Sequence, residues 1–316
     1  MKRRGHILVR WLVAVLSVFT VTACTPSEGV ADREEGPSPE PAMRPATRPA
    51  AEPFALATYN VNGWLGNARQ TAETLAELDA DLICCQETSP EFEDVYRLHL
   101  ADRYPHMRFL HHGATGGMAI LAQAPFETVR HVPTAQGPYG GWVVRTRLGG
   151  RELEVAAVHL AVIGFREGEG LWDLLERKKK VEQRQLEELR AVMEALSKDV
   201  PAVVLGDFGG TADMPARQHL SEHGFQDSFA AVTSHPESHA TWRSRPGQWP
   251  AAYRVDAIYT TGELRTRSSR VVEAEGSAHR PVVSMLTWRS TDAARHGPGA
   301  MNASTRAAGP RPRTRP

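Results

Sequence analysis

Apolar residues gather along this chain in short runs separated by polar, glycine-rich and proline-rich breaks, the rhythm of many strands interleaved with a few helices. Phe54 to Val61 reads as a strand, and Ala68 to Leu78 as an amphipathic helix with Ala68, Ala72, Leu75 and Leu78 on one side. Asp81 to Cys85 is a buried strand ending at Gln86-Glu87, and Met118 to Ala122 is another, after the glycine-rich turn at Gly113 to Gly117. Trp142 to Leu148 and Glu152 to Ala161 form a hairpin across Gly149-Gly150, with His159 on its second strand. The longest helical pattern, Leu171 to Leu196, places Leu175, Leu186, Leu189, Met193 and Leu196 at helical spacing. Ala202 to Leu205, Arg254 to Thr260 and Pro281 to Trp288 complete the strands. Some are joined by hairpins and some by helices, which predicts mixed sheets covered by helices rather than a regular doubly wound parallel sheet. No internal repeat is evident.

Both ends fall outside this rhythm. Lys2, Arg3, Arg4 and Arg10 precede the apolar run Trp11 to Val21, too short for a membrane-spanning helix and better suited to an export signal. Val21-Thr22-Ala23-Cys24 resembles the bacterial lipobox, in which cleavage leaves a lipidated Cys24 at the new N-terminus; a simple secretory signal or an uncleaved anchor is the alternative. Residues 25–53 are rich in Pro, Ala and charge and predict an extended tether, and residues 290–316 a disordered tail. The expectation is therefore a signal over 1–24, a tether over 25–53, one folded domain over 54–289 and a tail. The anchored protein would sit at the cell envelope, on a periplasmic or extracellular face. Thr25, not Asp, follows Cys24, which by analogy with lipoprotein sorting favours the outer membrane if two membranes are present.

Composition narrows the picture further. The 316 residues are 41% hydrophobic and 23% charged, with 37 basic and 37 acidic side chains, so no bulk field draws nucleic acid and any polyanion must be held by a local patch. After the signal only Cys84 and Cys85 remain. Neighbours on a strand face opposite ways, so they read as buried small hydrophobes rather than a disulfide or a metal pair.

Chemistry-bearing residues recur where apolar runs end: Asn60-Val61-Asn62-Gly63, Gln86-Glu87, His159, Gly206-Asp207-Phe208, Arg254-Val255-Asp256 and Ala278-His279-Arg280-Pro281. Strand ends can aim such groups into one cleft. Carboxylates and amides suit a hard cation, and imidazoles manage protons and charge, so the mixture suits metal-assisted attack on a phosphate ester.

In this order the signatures resemble the endonuclease/exonuclease/phosphatase superfamily, from about Phe54 to Trp288. The resemblance implies an α+β fold, a four-layer sandwich of two packed mixed β-sheets flanked by helices, with a site at one edge of the sheets. It makes Glu87 the principal carboxylate ligand of Mg²⁺ (or Mn²⁺), and Asn60 the residue that helps orient Glu87 and the metal, with Asn62 a second choice. It makes His159 a phosphate contact and proton donor, and Asp207 the acid that positions or activates the attacking water. Asp256 and His279 match a pair in which the carboxylate fixes the imidazole's tautomer. Two departures accompany these matches: Gly209 stands where the family usually has a phosphate-binding Asn, and Ala278 where it usually has Asp. Glu275 and Asp213 are the nearby acids that could compensate.

Two functions follow. The first is a metal-dependent hydrolase of phosphate esters, a phosphodiesterase or nuclease, using in-line attack by an Asp-positioned water. The second is a weakened or silent relative that binds a phosphate-bearing ligand or a protein partner at the envelope. Nucleic acid, phospholipid and sugar phosphate are all open as substrates; the Trp242 to Trp249 stretch could stack bases, although Trp242 also suits a structural position. A monomer is expected.

Overall fold

The computed structural model describes residues 52–114, 116–134, 140–163, 170–244 and 251–290. The signal with Cys24, the tether through residue 51, the tail from residue 291 and the segment from Arg245 to Trp249 lie outside the described residues. Among the described residues no helix is long and apolar enough to cross a membrane.

In chain order the first half contains β1 (Phe54–Asn60), α1 (Ala68–Glu77), β2 (Leu82–Thr88), α2 (Pro90–Leu100), β3 (His106–Leu110), β4 (Gly117–Ala122), β5 (Phe126–Pro133), β6 (Gly140–Leu148) and β7 (Arg151–His159). The second half contains α3 (Leu171–Glu194), β8 (Ala202–Asp207), α4 (Pro215–Glu222), β9 (Gln226–Asp227), β10 (Trp242–Arg243), β11 (Ala252–Tyr253), β12 (Asp256–Thr260), β13 (Leu264–Val271) and β14 (Val282–Trp288). Two mixed sheets of six strands result, ordered β13-β14-β1-β2-β4-β3 and β5-β6-β7-β8-β12-β9, with β10-β11 as a separate small hairpin.

The central strands read as unbroken apolar runs because both of their faces are covered. In β1, Phe54 and Leu56 enter the layer between the sheets, where they join Ile120, Trp142, Val155 and Leu205. The alternate residues Ala55, Ala57 and Tyr59 pack beneath Leu75 of α1 and Phe92 and Tyr96 of α2. The second sheet repeats the scheme: Val155 and Val203 face inward, whereas Ala156 and Val204 meet Leu189 and Val192 of α3 and Leu220 of α4. Each fully buried Val, Leu or Phe contributes roughly 1.5–3 kcal/mol, so three stacked apolar layers hold a four-layer α/β sandwich together. The adjacent cysteines divide as strand geometry requires, Cys84 between the sheets and Cys85 beneath the helices, both buried and unbonded.

The long helix differs from its apolar reading. Leu171 is 68% exposed and Leu175 40% exposed, while the buried positions of α3 include the polar Gln185 and Glu188. Its C-terminal half packs on β6 and β7, and its N-terminal turn stands away from the core. The strand expected from Arg254 begins instead at Asp256, because Arg254 turns into a buried ion-pair network with Asp227 (2.8 Å) and Glu237 (2.5 Å).

Register converts this architecture into a site. β1 and β2 run parallel with Asn60 opposite Gln86, β7 and β8 run parallel with His159 opposite Asp207, and β12 returns antiparallel with Asp256 opposite Asp207. The carboxyl ends of both parallel pairs therefore open on the same edge. Close approach of β8 to β7 depends on Gly206, whose φ is +149° and where a Cβ would lie 1.9 Å from the Val158 carbonyl oxygen. Gly206→Ala should cost about 3 kcal/mol or more in urea unfolding, since neither backbone can retreat from a packed sheet. A loss below about 1 kcal/mol would mean that the strands can separate without penalty.

Candidate active site

Asn60 is fully buried at the end of β1. Its Nδ2 donates to Glu87 Oε1 and to Asp207 Oδ2, both at 2.9 Å, and its Oδ1 accepts the Asn62 backbone N–H at 2.9 Å. One carboxamide thus spans the two sheets. The side chain turns its NH₂ toward both carboxylates and so orients them. Asn62 participates through its backbone, at φ +50°.

Glu87 leaves the ladder by a local irregularity. The β2–β4 register shifts between Gln86 and Thr88, and Glu87 sits at φ +58°, an uncommon conformation for a residue with a long side chain. The slip frees its carboxylate from strand alternation and leaves Oε1 3.8 Å from His159 Nε2. Asp207 is 2% exposed and receives a second hydrogen bond, from the Gly209 N–H to Oδ1 at 2.8 Å.

The third element is the loop leading into β14. His279 Nδ1–H donates to Asp256 Oδ2 at 3.0 Å, and His279 Nε2 lies 3.9 Å from Asp207 Oδ2. Burial pulls the His279 imidazole toward neutrality, but Asp256, Asp207 and Glu87 together overcome it and push its pKa up to about 9. Burial likewise pushes the Asp256 carboxyl up, with His279 opposing. At neutral pH the His279 imidazole therefore keeps its proton.

Two hydroxyl groups fix this pair, and no sequence pattern announced the one on Ser277. Thr241 Oγ1 accepts the N–H groups of Val255 and Asp256, both at 3.0 Å, which sets the start of β12. Ser277 Oγ donates to the Asn60 carbonyl at 2.8 Å and accepts the His279 N–H at 3.0 Å, tying the last loop to β1. Trp242 forms a bridge to His279 and stacks on Tyr253 with ring centroids 6.2 Å apart, which fits its structural reading.

The structure therefore brings Asn60, Glu87, His159, Asp207, Asp256 and His279 together. Ligand atoms of Glu87, His159 and Asp207 lie within 4.8 Å of one another, as do those of Asp207, Asp256 and His279. Among the described residues Asp256 Oδ1 is buried without a hydrogen-bond partner. Three carboxylates with two imidazoles and an orphaned buried oxygen fit a hard divalent cation. The suggested compensating acids do not join them. Glu275 is exposed, and Asp213, also exposed, accepts from Thr211 Oγ1 at 2.5 Å. Gly209 has a packing reason of its own: at φ +62°, a Cβ there would lie 2.4 Å from the Ala161 carbonyl oxygen. Ala161 is held from α3, its carbonyl accepting from Gln185 Nε2 at 2.5 Å and its N–H donating to Glu188 Oε2 at 2.9 Å.

A family model described as the endonuclease/exonuclease/phosphatase family matches residues 57–284, and the chain belongs to that family. Its members include phosphoester hydrolases and nucleases. No curated protein matches the chain. Among solved structures, it is similar to an endonuclease/exonuclease/phosphatase from Beutenbergia cavernae, with 19% identity and a TM-score of 0.56 over 75% of this chain and 72% of that one. An AP endonuclease from Archaeoglobus fulgidus is similar at 19% identity and a TM-score of 0.57, over 75% of this chain and all (100%) of its own. A D. rerio TDP2 complexed with a single-strand DNA product is similar at 15% identity and a TM-score of 0.55, over 74% of this chain and 99% of its own. These likenesses establish the shared fold.

Two outcomes are expected from this geometry. Folding raises the His279 pKa from 6.5 to about 9, so the metal-free native chain keeps a proton that the unfolded chain releases. That stabilisation is complete below about pH 6.5 and is lost as the pH rises through about 9; urea unfolding across this range should show the fall, and His279→Gln should flatten it. Identical slopes in the two proteins would contradict the assignment. Gly209→Asn should destabilise the chain by about 2 kcal/mol, although Asn tolerates positive φ, because the clash with Ala161 remains. A variant as stable as the parent would show that the loop after β7 yields.

Proposed function

We propose that the chain is a metal-dependent phosphodiesterase that hydrolyses its substrate by in-line attack of water. The observation that carries this reading is the convergence of Glu87, His159, Asp207, Asp256 and His279 at one sheet edge, arranged around the Asn60 carboxamide. Glu87, oriented by Asn60, is the residue that would hold the ion. Mg²⁺ or Mn²⁺ bound there would neutralise phosphate charge and polarise the ester.

Asp207 orients the attacking water and takes up its proton. It is suited to this because Asn60 and the Gly209 N–H fix both of its oxygens. His279, held as an imidazolium by Asp256, aims its Nε2–H across 3.9 Å toward Asp207, where it would donate to a phosphoryl oxygen of the substrate. His159, beside Glu87, offers a second donor for phosphoryl charge or for the leaving oxygen. Nucleic acid, phospholipid and sugar phosphate remain the substrate classes to compare. The resemblance to a DNA-bound TDP2 places nucleic acid in the first panel.

Gly209 and Ala278 favour the second reading, a relative that kept the fold and binds without turnover. The two readings separate in one assay: hydrolysis of DNA, RNA, sphingomyelin, inositol phosphates and an aryl phosphodiester, with Mg²⁺ or Mn²⁺, by a soluble form starting near Phe54. Turnover is expected on at least one ester, with kcat falling about 10²–10⁴-fold in Asp207→Asn. An unchanged rate in that variant, or no metal-dependent turnover on any ester, would remove the enzyme reading.

A further inference from the structure

His279 lines a second space that contains none of Glu87, His159, Asp207 or Asp256: a cavity of about 450 Å³ between the α1 entry loop and the segment entering β14. That volume is in the range of small-ligand sites. Two guanidinium-bearing residues, Arg243 and Arg280, line it together with one acid, Glu273, and with Asn67, Ser244, Ala278 and His279. They are brought together by the backbone. The Arg243 N–H donates to the Ala278 carbonyl at 3.1 Å, the Arg280 N–H donates to the Thr241 carbonyl at 2.7 Å, and Trp242 bridges His279.

We infer that this cavity is a subsite for a second phosphate group of the substrate, distinct from the phosphate under attack. The inference rests on the phosphoesterase reading and adds a substrate class to it: esters that carry two phosphates within one small molecule or along one backbone. Four observations support the assignment. Guanidinium forks match phosphate oxygens in pairs. Arg243 is exposed and makes no side-chain hydrogen bond to another described residue, while Arg280 is held only by Glu273, 80% exposed at 2.7 Å, a pairing that solvent and a phosphate can displace. The polar neighbours have hydrogens to give: Asn67 Oδ1 is occupied capping α1, which leaves its NH₂, and Ser244 Oγ accepts from Ala251 N–H at 2.9 Å, which leaves its own proton. Finally, Ala278 occupies the lining at the position where the family usually has Asp. A second carboxylate there, added to Glu273, would strengthen repulsion of an anion and compete for both guanidinium groups; the alanine leaves only the exposed, displaceable Glu273. The departure that looks like a lost catalytic acid is accounted for as a change of specificity.

The test is calorimetric binding of thymidine 3′,5′-bisphosphate and thymidine 5′-monophosphate to the full chain with Mg²⁺, in the parent and in Arg243→Ala, Arg280→Ala and Ala278→Asp. The bisphosphate is expected to bind at least about tenfold more tightly than the monophosphate, the worth of one charge-assisted contact pair. That ratio should fall toward one in each variant, with the melting temperature of Arg243→Ala unchanged because its side chain is exposed. Asp207→Asn should keep the preference, which separates this subsite from turnover: loss of hydrolysis on every ester alongside a preserved ratio would defeat the enzyme reading alone. Equal affinity for the two ligands in the parent, no binding of either, or a preference untouched by Arg243→Ala and Ala278→Asp would overturn the subsite.

Discussion

The structure depends on a single carboxamide. Asn60 ends the central strand of one sheet, and its Nδ2 holds Glu87 of that sheet and Asp207 of the other. Without it, two carboxylates would face each other across the sandwich with nothing between them but their repulsion. A buried amide donor is a fitting solution because it satisfies both acids without adding a fixed charge, so a net negative centre is left for a cation to neutralise. The Asn60 backbone adds a third tie, its carbonyl accepting from Ser277, which carries His279 on the same short loop. Sheet packing and site assembly are thus one event: if the two sheets slid by a residue, the apolar layer between them and the acid cluster at their edge would fail together.

Around this bridge, charge is arranged by depth. Asp256 is fully buried and spends one oxygen on His279, which keeps the imidazole charged despite its burial. Asp207 lies between that ion pair and the exposed mouth, and Glu87 is the most accessible of the three acids, with 27% of its side chain in solvent. The cationic cavity beside His279 lies next to this gradient, so opposite potentials adjoin at one imidazole.

Much of this was legible in the sequence because central strands, covered on both faces, write themselves as apolar runs that end abruptly in polar residues. The ordered signatures pointed to the fold and to six residues that the structure brings to one sheet edge. Edge strands were not legible. β5 (Phe126–Pro133) and β13 (Leu264–Val271) are mostly exposed, so they carry charged and hydroxyl residues without a clear alternation. The leucine spacing of α3 misled in part, since its buried face includes Gln185 and Glu188 in order to grip the Ala161 backbone. Ser277 carries no such sign in the sequence, because a hydroxyl that orders a loop has no periodicity to reveal it. The reason for Gly209 was equally hidden: the carbonyl that crowds it belongs to a residue far away in sequence.

Glu87 carries a further consequence. At φ +58° a residue with a long side chain costs roughly 1–2 kcal/mol relative to an ordinary strand conformation, and glycine would sit there at ease. Selection or design aimed at thermostability alone would smooth this kink, closing the irregularity in β2 and returning residue 87 to the ladder. The carboxylate would then point into a sheet face instead of the cleft. At this one residue, robustness of the fold and readiness of the site pull in opposite directions, and the backbone strain records which of them prevailed.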